Sequence, residues 1–188
     1  MSYPLFLRFE GRPVLVVGGG AVALEKATAL RASGATVHVV APEVHPGLVD
    51  VAASIQQRPF APADVDGKWL ALAAATPEVN RQVKIACDAR RTFLIAVDDV
   101  ASCSAIGAAQ LHRGGLTLAI SSDGKAPALV ALLRRALSEL LPDDVEEWVA
   151  LAERARTAWK ARGTAFPERR PLLLRALNEM YERTEGAS

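Results

Sequence analysis

The sequence predicts an α/β fold: a Rossmann-like, mostly parallel sheet with helices on both faces, followed by a helical C-terminal extension. Three observations predict it. The apolar run Val14-Leu15-Val16-Val17 breaks at a Gly-x-Gly-x-x-Ala turn, Gly18 to Ala23, and a helical rhythm leads to a second apolar run, Thr36 to Val40. Further short apolar runs then alternate with helical stretches, as strands joined by crossover helices do. From Asp143 onward the pattern is wholly helical.

Strand, turn, helix and strand in that order let backbone approach a pyrophosphate and aim a helix N-terminus at its charge. Gly18 permits the tight turn, Gly20 leaves room for a diphosphate, and Ala23 lets the helix pack on the strand. The helix closes at Gly34. Three successive glycines also make an ordinary loop, but here both flanks carry the required context. Gly18, Gly20, Ala21 and Val22 are therefore cofactor candidates, joined by Pro42, Glu43 and Thr76 at two later strand ends. Glu43 is the carboxylate for a ribose hydroxyl. No Arg stands beside it to hold a 2′-phosphate, so NAD is expected over NADP.

Beyond Pro42 the pattern predicts a short helix near 46–53 and a brief strand near 54–59. A buried strand covers Lys68 to Thr76. Thr76 caps the next helix and Pro77 occupies its first turn. That helix runs to about Arg90, with Val79, Val83, Ala86 and Cys87 on one face. Phe93 to Val97 is a strand leading into Asp98-Asp99, and Leu116 to Ile120 is another, leading into Ser121 to Gly124. A helix follows from Ala126-Pro127 to Leu141, with Leu129, Leu133, Ala136, Leu137 and Leu140 as its core stripe. Asp143-Asp144 cap a helix whose stripe is Val145, Trp148, Val149, Ala152, Ala155 and Trp159. Gly163 and Pro167 punctuate, and a last helix carries Leu173, Leu174, Leu177, Met180 and Tyr181. The expected division is a nucleotide domain at 1–112, a dimerisation and substrate segment at 113–142, and a helical domain at 143–188. The tail holds more apolar surface than a lone hairpin can bury, so a homodimer is expected.

Composition narrows the function. With 188 residues, 51% of them hydrophobic, one such domain and an appendage have an ample core. The net charge of +1 supplies no drive toward nucleic acid or a membrane surface. Two cysteines without a Cys-x-x-Cys fit a reducing cytoplasm. The opening residues lack a signal peptide's apolar centre, and no apolar run reaches membrane-spanning length. His38, His45 and His112 are scattered, and no metal-ligand spacing occurs, so no metal site is expected.

Ligands of open α/β sheets sit outside the carboxyl ends of the strands. Asp98 is the acidic side chain that ends a fully apolar strand. Partial desolvation there raises a carboxylate's pKa and suits it to proton transfer. The competing role is simply to start a loop. Ser121, Ser122 and Lys125 precede a helix N-terminus and could hold a substrate carboxylate. Capping by Ser122 or Asp123 is the competing role there, and on general grounds the stronger one.

Together these residues resemble precorrin-2 dehydrogenase, the N-terminal domain family of siroheme synthase. Tyr3-Pro4-Leu5-Phe6 resembles the family's short N-terminal strand, and Val16 to Lys26 its nucleotide turn. Val40-Ala41-Pro42-Glu43 is similar to its second-strand end, and Ala73 to Asn80 to its Ala-Ala-Thr…Asn segment. Val97-Asp98-Asp99 with Cys103-Ser104 resembles the stretch carrying its catalytic aspartate. Arg113-Gly114 and Ile120 to Pro127 resemble its Arg-Gly and Ser-rich helix start. The resemblance implies NAD-dependent oxidation of precorrin-2 to sirohydrochlorin, a homodimer, and Asp98 as general acid–base. In some members it extends to insertion of ferrous iron. Larger synthases add a methyltransferase domain that 188 residues cannot hold. Two positions depart from the family. The Asn that precedes its aspartate by two residues is Ala96 here (or Ile95, one alignment step away). The aromatic and Pro after Cys103-Ser104 are replaced by Ala105-Ile106-Gly107. They keep a second reading open, an NAD-binding sensor or catalytically degenerate homologue.

Overall fold

Five apolar runs become parallel strands. They are β1 (Pro13–Val17), β2 (Thr36–Val40), β3 (Ser54–Gln56), β4 (Leu70–Ala73) and β5 (Phe93–Ala96), in the order β3-β2-β1-β4-β5. The computed structural model describes residues 2–185, with side chains to residue 182. The two innermost strands, β1 and β4, are apolar at every position because both their faces are covered. Val14 and Val16 pack with Ala23 and Ala27 of helix α1 (Ala21–Ala32). Leu15 and Val17 pack with Val83, Ala86 and Cys87 of helix α2 (Pro77–Arg90). Alternate residues of β1 thus feed two cores, one on each side of the sheet.

The expected limits of β1, β2 and α2 hold to within a residue. The strand expected over 68–76 covers only Leu70–Ala73, the one expected to reach Val97 ends at Ala96, and two further elements are also shorter. The helix near 46–53 is a single 3-10 turn, Pro46–Leu48, opened by Pro46 and capped by the His45 ring, which accepts from the Gly47 N–H. The strand expected near 54–59 stops at Gln56, because Arg58 and Pro59 leave the ladder for a turn. Residues 3–6 form no strand, and Tyr3 and Phe6 are 84% and 70% exposed.

Leu116–Ile120 is β7, and it does not belong to the parallel sheet. It pairs antiparallel with β6 (Ala109–Arg113), a strand the sequence reading did not single out. Gly114 and Gly115, with φ of 52° and 81°, make the two-residue hairpin turn. A Cβ on Gly114 would lie 2.4 Å from the Glu146 backbone nitrogen, so the turn also requires glycine for close approach.

The chain forms two compact units. The first comprises residues 1–107 with Asp123–Lys125. The second comprises Ala108–Ser122 with everything from Ala126. The boundary expected at 112 falls inside β6. Within the second unit, helix α3 (Pro127–Leu140) has no buried residue. Leu129, Leu133 and Leu140, expected as core, are 52%, 43% and 76% exposed. Arg113 bonds the Leu141 carbonyl and donates to Ser138 Oγ at 3.3 Å, which satisfies the end of α3. Helices α4 (Val145–Arg162) and α5 (Phe166–Glu185) form the expected hairpin. Trp148 Nε1 donates to the Tyr181 hydroxyl at 2.7 Å, and the two rings meet edge to face. Asp144 occupies the N-cap position of α4, but its carboxylate accepts from Tyr181 and makes no cap bond.

Candidate functional site

In the first unit the carboxyl ends of β1, β2 and β4 converge on a cleft of about 510 Å³. Val17, Gly18 and Gly19 come from β1, and Val40, Ala41, Pro42 and Glu43 from β2. Ala74, Ala75 and Thr76 follow β4, Val79 and Gln82 lie on α2, and Pro59 and Phe60 come from the turn after β3. The sheet order reverses between β1 and β4, where an open α/β sheet holds its ligand.

The glycines of the turn differ in what they do. Gly18 has a φ of 121°, and a Cβ there would lie 2.2 Å from the Ala74 carbonyl oxygen. A Cβ on Gly19 would lie 1.9 Å from the Glu43 carbonyl oxygen. Both glycines let three loops close on one another, a role for Gly19 that the Gly-x-Gly spacing does not assign. The signal was present in the unbroken Gly18-Gly19-Gly20 run. Two backbone bonds lock the arrangement, Gly18 N–H to the Val40 carbonyl at 3.0 Å and His45 N–H to the Gly19 carbonyl at 2.6 Å. Gly20 is exposed, and a Cβ on it would meet nothing within 4 Å. Its open side faces no protein atom, and Ala21 and Val22 beside it are exposed at the start of α1. The first intrahelical bond of α1 is Leu24 N–H to Gly20, so the amides of Ala21, Val22 and Ala23 remain for an anion. This open cradle fits a dinucleotide diphosphate.

Pro42 and Glu43 are exposed on the cleft wall. Thr76 lines it as well, and its hydroxyl also accepts from Val79 N–H at 3.5 Å as the α2 cap. The buried Asn80 accepts from Ala75 N–H at 3.1 Å and fixes the course of that loop. A smaller polar cavity of about 160 Å³ lies along β2 and β3 and is lined by His38, Ser54, Gln56, Asp64 and Lys68 among others. Burial, then Lys68, push the His38 pKa below its ordinary value.

Asp98 departs from expectation. The strand stops at Ala96, and Val97-Asp98 form a turn in which Asp98 is exposed at a φ of 60°. Its carboxylate is therefore not desolvated by strand neighbours, and it is not among the residues lining the cleft. Asp99 turns back and accepts from Ser102 N–H at 3.2 Å, capping a 3-10 turn at Val100–Ser102. Cys103 and Ser104 then return along the free edge of β5. The Ser104 hydroxyl accepts from Leu94 N–H at 2.8 Å, Cys103 Sγ accepts from Ala96 N–H at 3.1 Å, and Ser104 N–H donates to the Leu94 carbonyl. The pair thus closes the sheet edge.

The proposed substrate contacts divide between the units. Ser121 and Ser122 belong to the second and Lys125 to the first. Ser122 Oγ accepts from Ala126 N–H at 2.9 Å, the capping role weighed from sequence. Gly124 packs on Val100, two residues beyond Asp98, since a Cβ on it would lie 2.8 Å from a Val100 methyl. Lys125 and the Asp98 turn are thereby parts of one local structure. Among the described residues no group of His, Cys, Asp or Glu is arranged to hold a metal ion, and no helix is long and apolar enough to cross a membrane.

Residues 5–109 match a family model described as "Putative NAD(P)-binding", and residues 113–140 match the central segment of siroheme biosynthesis proteins. Siroheme synthase 3 of Aeromonas hydrophila is 44% identical over 90% of this chain. A siroheme synthase of Zymomonas mobilis is 35% identical over 96%. The matches cover 38% and 40% of those two proteins, so the chain spans about two fifths of the length of these relatives. Among solved structures, SirC, a precorrin-2 dehydrogenase, superposes with a TM-score of 0.74 at 26% identity, covering 93% of this chain and 88% of that one.

Proposed function

The chain belongs to the NAD(P)-binding family of siroheme biosynthesis, and from that premise we propose that it oxidises precorrin-2 to sirohydrochlorin with NAD as hydride acceptor. The observation that carries this reading is the open cradle at Gly20, beside a Glu43 wall and an α1 terminus without acidic residues in its first turn. The likeness to SirC, named as a precorrin-2 dehydrogenase, supports the substrate.

The amides of Ala21, Val22 and Ala23 bind the diphosphate, Gly20 keeps a side chain out of its way, and Gly18 lets the loop after β4 close behind it. Glu43 takes a ribose hydroxyl. No arginine adjoins it for a 2′-phosphate, which supports NAD over NADP. When bound, NAD supplies the acceptor for one hydride from the tetrapyrrole. The substrate also loses a proton, and a carboxylate oxygen of Asp98 accepts it. A non-glycine residue at positive φ is a feature that recurs at functional sites. Lys125, with Ser121 and Ser122, offers charge and hydroxyls to the substrate's carboxylates. The exposed leucines of α3 support a homodimer. The free thiols Cys87 and Cys103 support a reducing cytoplasmic setting.

The test is anaerobic incubation of the chain with precorrin-2 and NAD, following NADH and sirohydrochlorin. Stoichiometric appearance of both is the expected result. NAD binding without turnover would favour the sensor reading, and the departures at Ala96 and Ala105-Ile106-Gly107 would then be its cause.

A further inference from the structure

An aspartate at positive φ keeps that conformation only where its surroundings impose it. Asp98 has a φ of 60° and stands second in the turn Val97-Asp98. The turn begins level with the cleft, since Val97 N–H donates to the Ala73 carbonyl at 2.9 Å, and Ala74 and Ala75 line that cleft. One side chain spans the turn. Cys103 Sγ accepts from Ala96 N–H at 3.1 Å, on the residue before it. The same sulfur lies 3.3 Å from the Asp99 carbonyl, on the residue after it, and 3.4 Å from the Ala96 carbonyl. Both carbonyls are within reach of its S–H donor. At the sheet edge Ser104 meets Leu94 with hydroxyl and amide, whereas the sulfur's contact with Asp99 serves the turn.

We propose that Cys103 is a positioning residue for Asp98, its thiol clasping both ends of the turn so that the carboxylate stands where the substrate's proton leaves. The inference rests on the reading of Asp98 as proton acceptor. Cys103 can serve as a fixed post because its own place is set. It packs on the core cluster that holds Leu94 and Ala96. Its N–H donates to the Val100 carbonyl at 3.2 Å, and the Ser102 N–H before it is held by Asp99. Val100 in turn abuts Gly124 of the same compact unit, where a Cβ would lie 2.8 Å from a Val100 methyl. Core, turn and Gly124 thus hold the loop from 97 to 103 on separate sides. Without the clasp Asp98 relaxes toward the negative φ that side chains prefer, and its carboxylate moves with it. Cys103 touches no substrate in this arrangement and acts through Asp98.

The test uses the full chain, with NAD and precorrin-2 under anaerobic conditions for turnover and without ligand for nuclear magnetic resonance. Cys103→Ala removes the sulfur and leaves a small apolar residue on the core. Its kcat is expected to fall about ten- to a hundredfold, the scale for a catalytic group misplaced by about an ångström. NAD affinity, read by titration, stays at the wild-type value. Cys103→Ser restores a donor and an acceptor and brings kcat back to within about threefold of wild type. Backbone couplings across the Asp98 N–Cα bond report positive φ in wild type and Cys103→Ser, and its loss in Cys103→Ala. In an Asp98→Asn background Cys103→Ala lowers the remaining rate less than about twofold, which a purely structural role would not produce. If Cys103→Ala does not fold, Val100→Ala, at a position 45% exposed, carries the same comparisons. Full turnover by Asp98→Asn, or none by wild type, removes the proton-acceptor reading and this inference with it. If Asp98→Asn fails while Cys103→Ala keeps the positive φ or the wild-type kcat, that reading stands and the clasp is overturned. Equal losses in both backgrounds overturn it too.

Discussion

Gly18 and Gly20 are two residues apart, and replacing them should fail for opposite reasons. Gly18 combines a φ of 121° with a backbone oxygen 2.2 Å from where a Cβ would stand. Gly18→Ala is expected to lower stability by about 2 kcal/mol or more, read by urea unfolding. Gly20 has ordinary extended backbone and open space. Gly20→Val should leave stability within about 0.5 kcal/mol of wild type yet abolish NAD binding in a titration. The acidic pair behaves similarly. Asp98→Asn keeps shape, and Asn tolerates positive φ as Asp does. Turnover should fall by about two to four powers of ten with NAD affinity unchanged. Asp99→Asn should do much less, because an amide oxygen can still accept from Ser102 N–H. The sequence pointed to these residues but not to their surroundings. A strand running to Val97 would have desolvated Asp98, and the chain turns one residue earlier.

Among elements, those that fill both faces of the sheet were readable in advance. Their burial forces an apolar run, and Thr76-Pro77 marks a helix start by cap and fixed φ. The β6–β7 hairpin escaped because β6, Ala-Gln-Leu-His-Arg, is half polar, although Gly114-Gly115 is a hairpin signal. The turn at 57–65 escaped because it depends on an ion pair rather than a periodicity. Its pH dependence follows. Bonds from Arg58, with the Ala61 amide, hold the Asp64 pKa below its ordinary value of 3.8, against the opposing effect of burial. A carboxylate lowered on folding stabilises fully above its unfolded value and loses that contribution as pH falls through the folded one. Asp64→Asn should therefore destabilise the chain at neutral pH. The difference should shrink below pH 3.8 and vanish further down, in urea melts run at each pH.

At the scale of the molecule, periodicity predicts a core stripe on α3 that the chain itself does not bury. Leu129, Leu132, Leu133 and Leu140 are exposed, while in the tail Trp148, Trp159 and Leu177 are half-buried and Phe166, Leu172 and Leu174 are exposed. The apolar surface that motivates self-association therefore lies on α3 as well as on the hairpin. Light scattering at micromolar concentration should give a dimer, and Leu129→Glu with Leu133→Glu should give a monomer. A wild-type monomer would count against the assembly. The two backbone bonds that tie Gly18 and His45 into the glycine turn have a kinetic corollary. Those amides are already held in the free chain, so their hydrogens should exchange slowly with deuterated water before any NAD is added. The hydrogens on Ala21, Val22 and Ala23 have no intrahelical acceptor and should exchange fast, then slow sharply as NAD saturates the cradle. Protection confined to those three amides would mean that the pyrophosphate enters a mould already set and finds nothing left to shape.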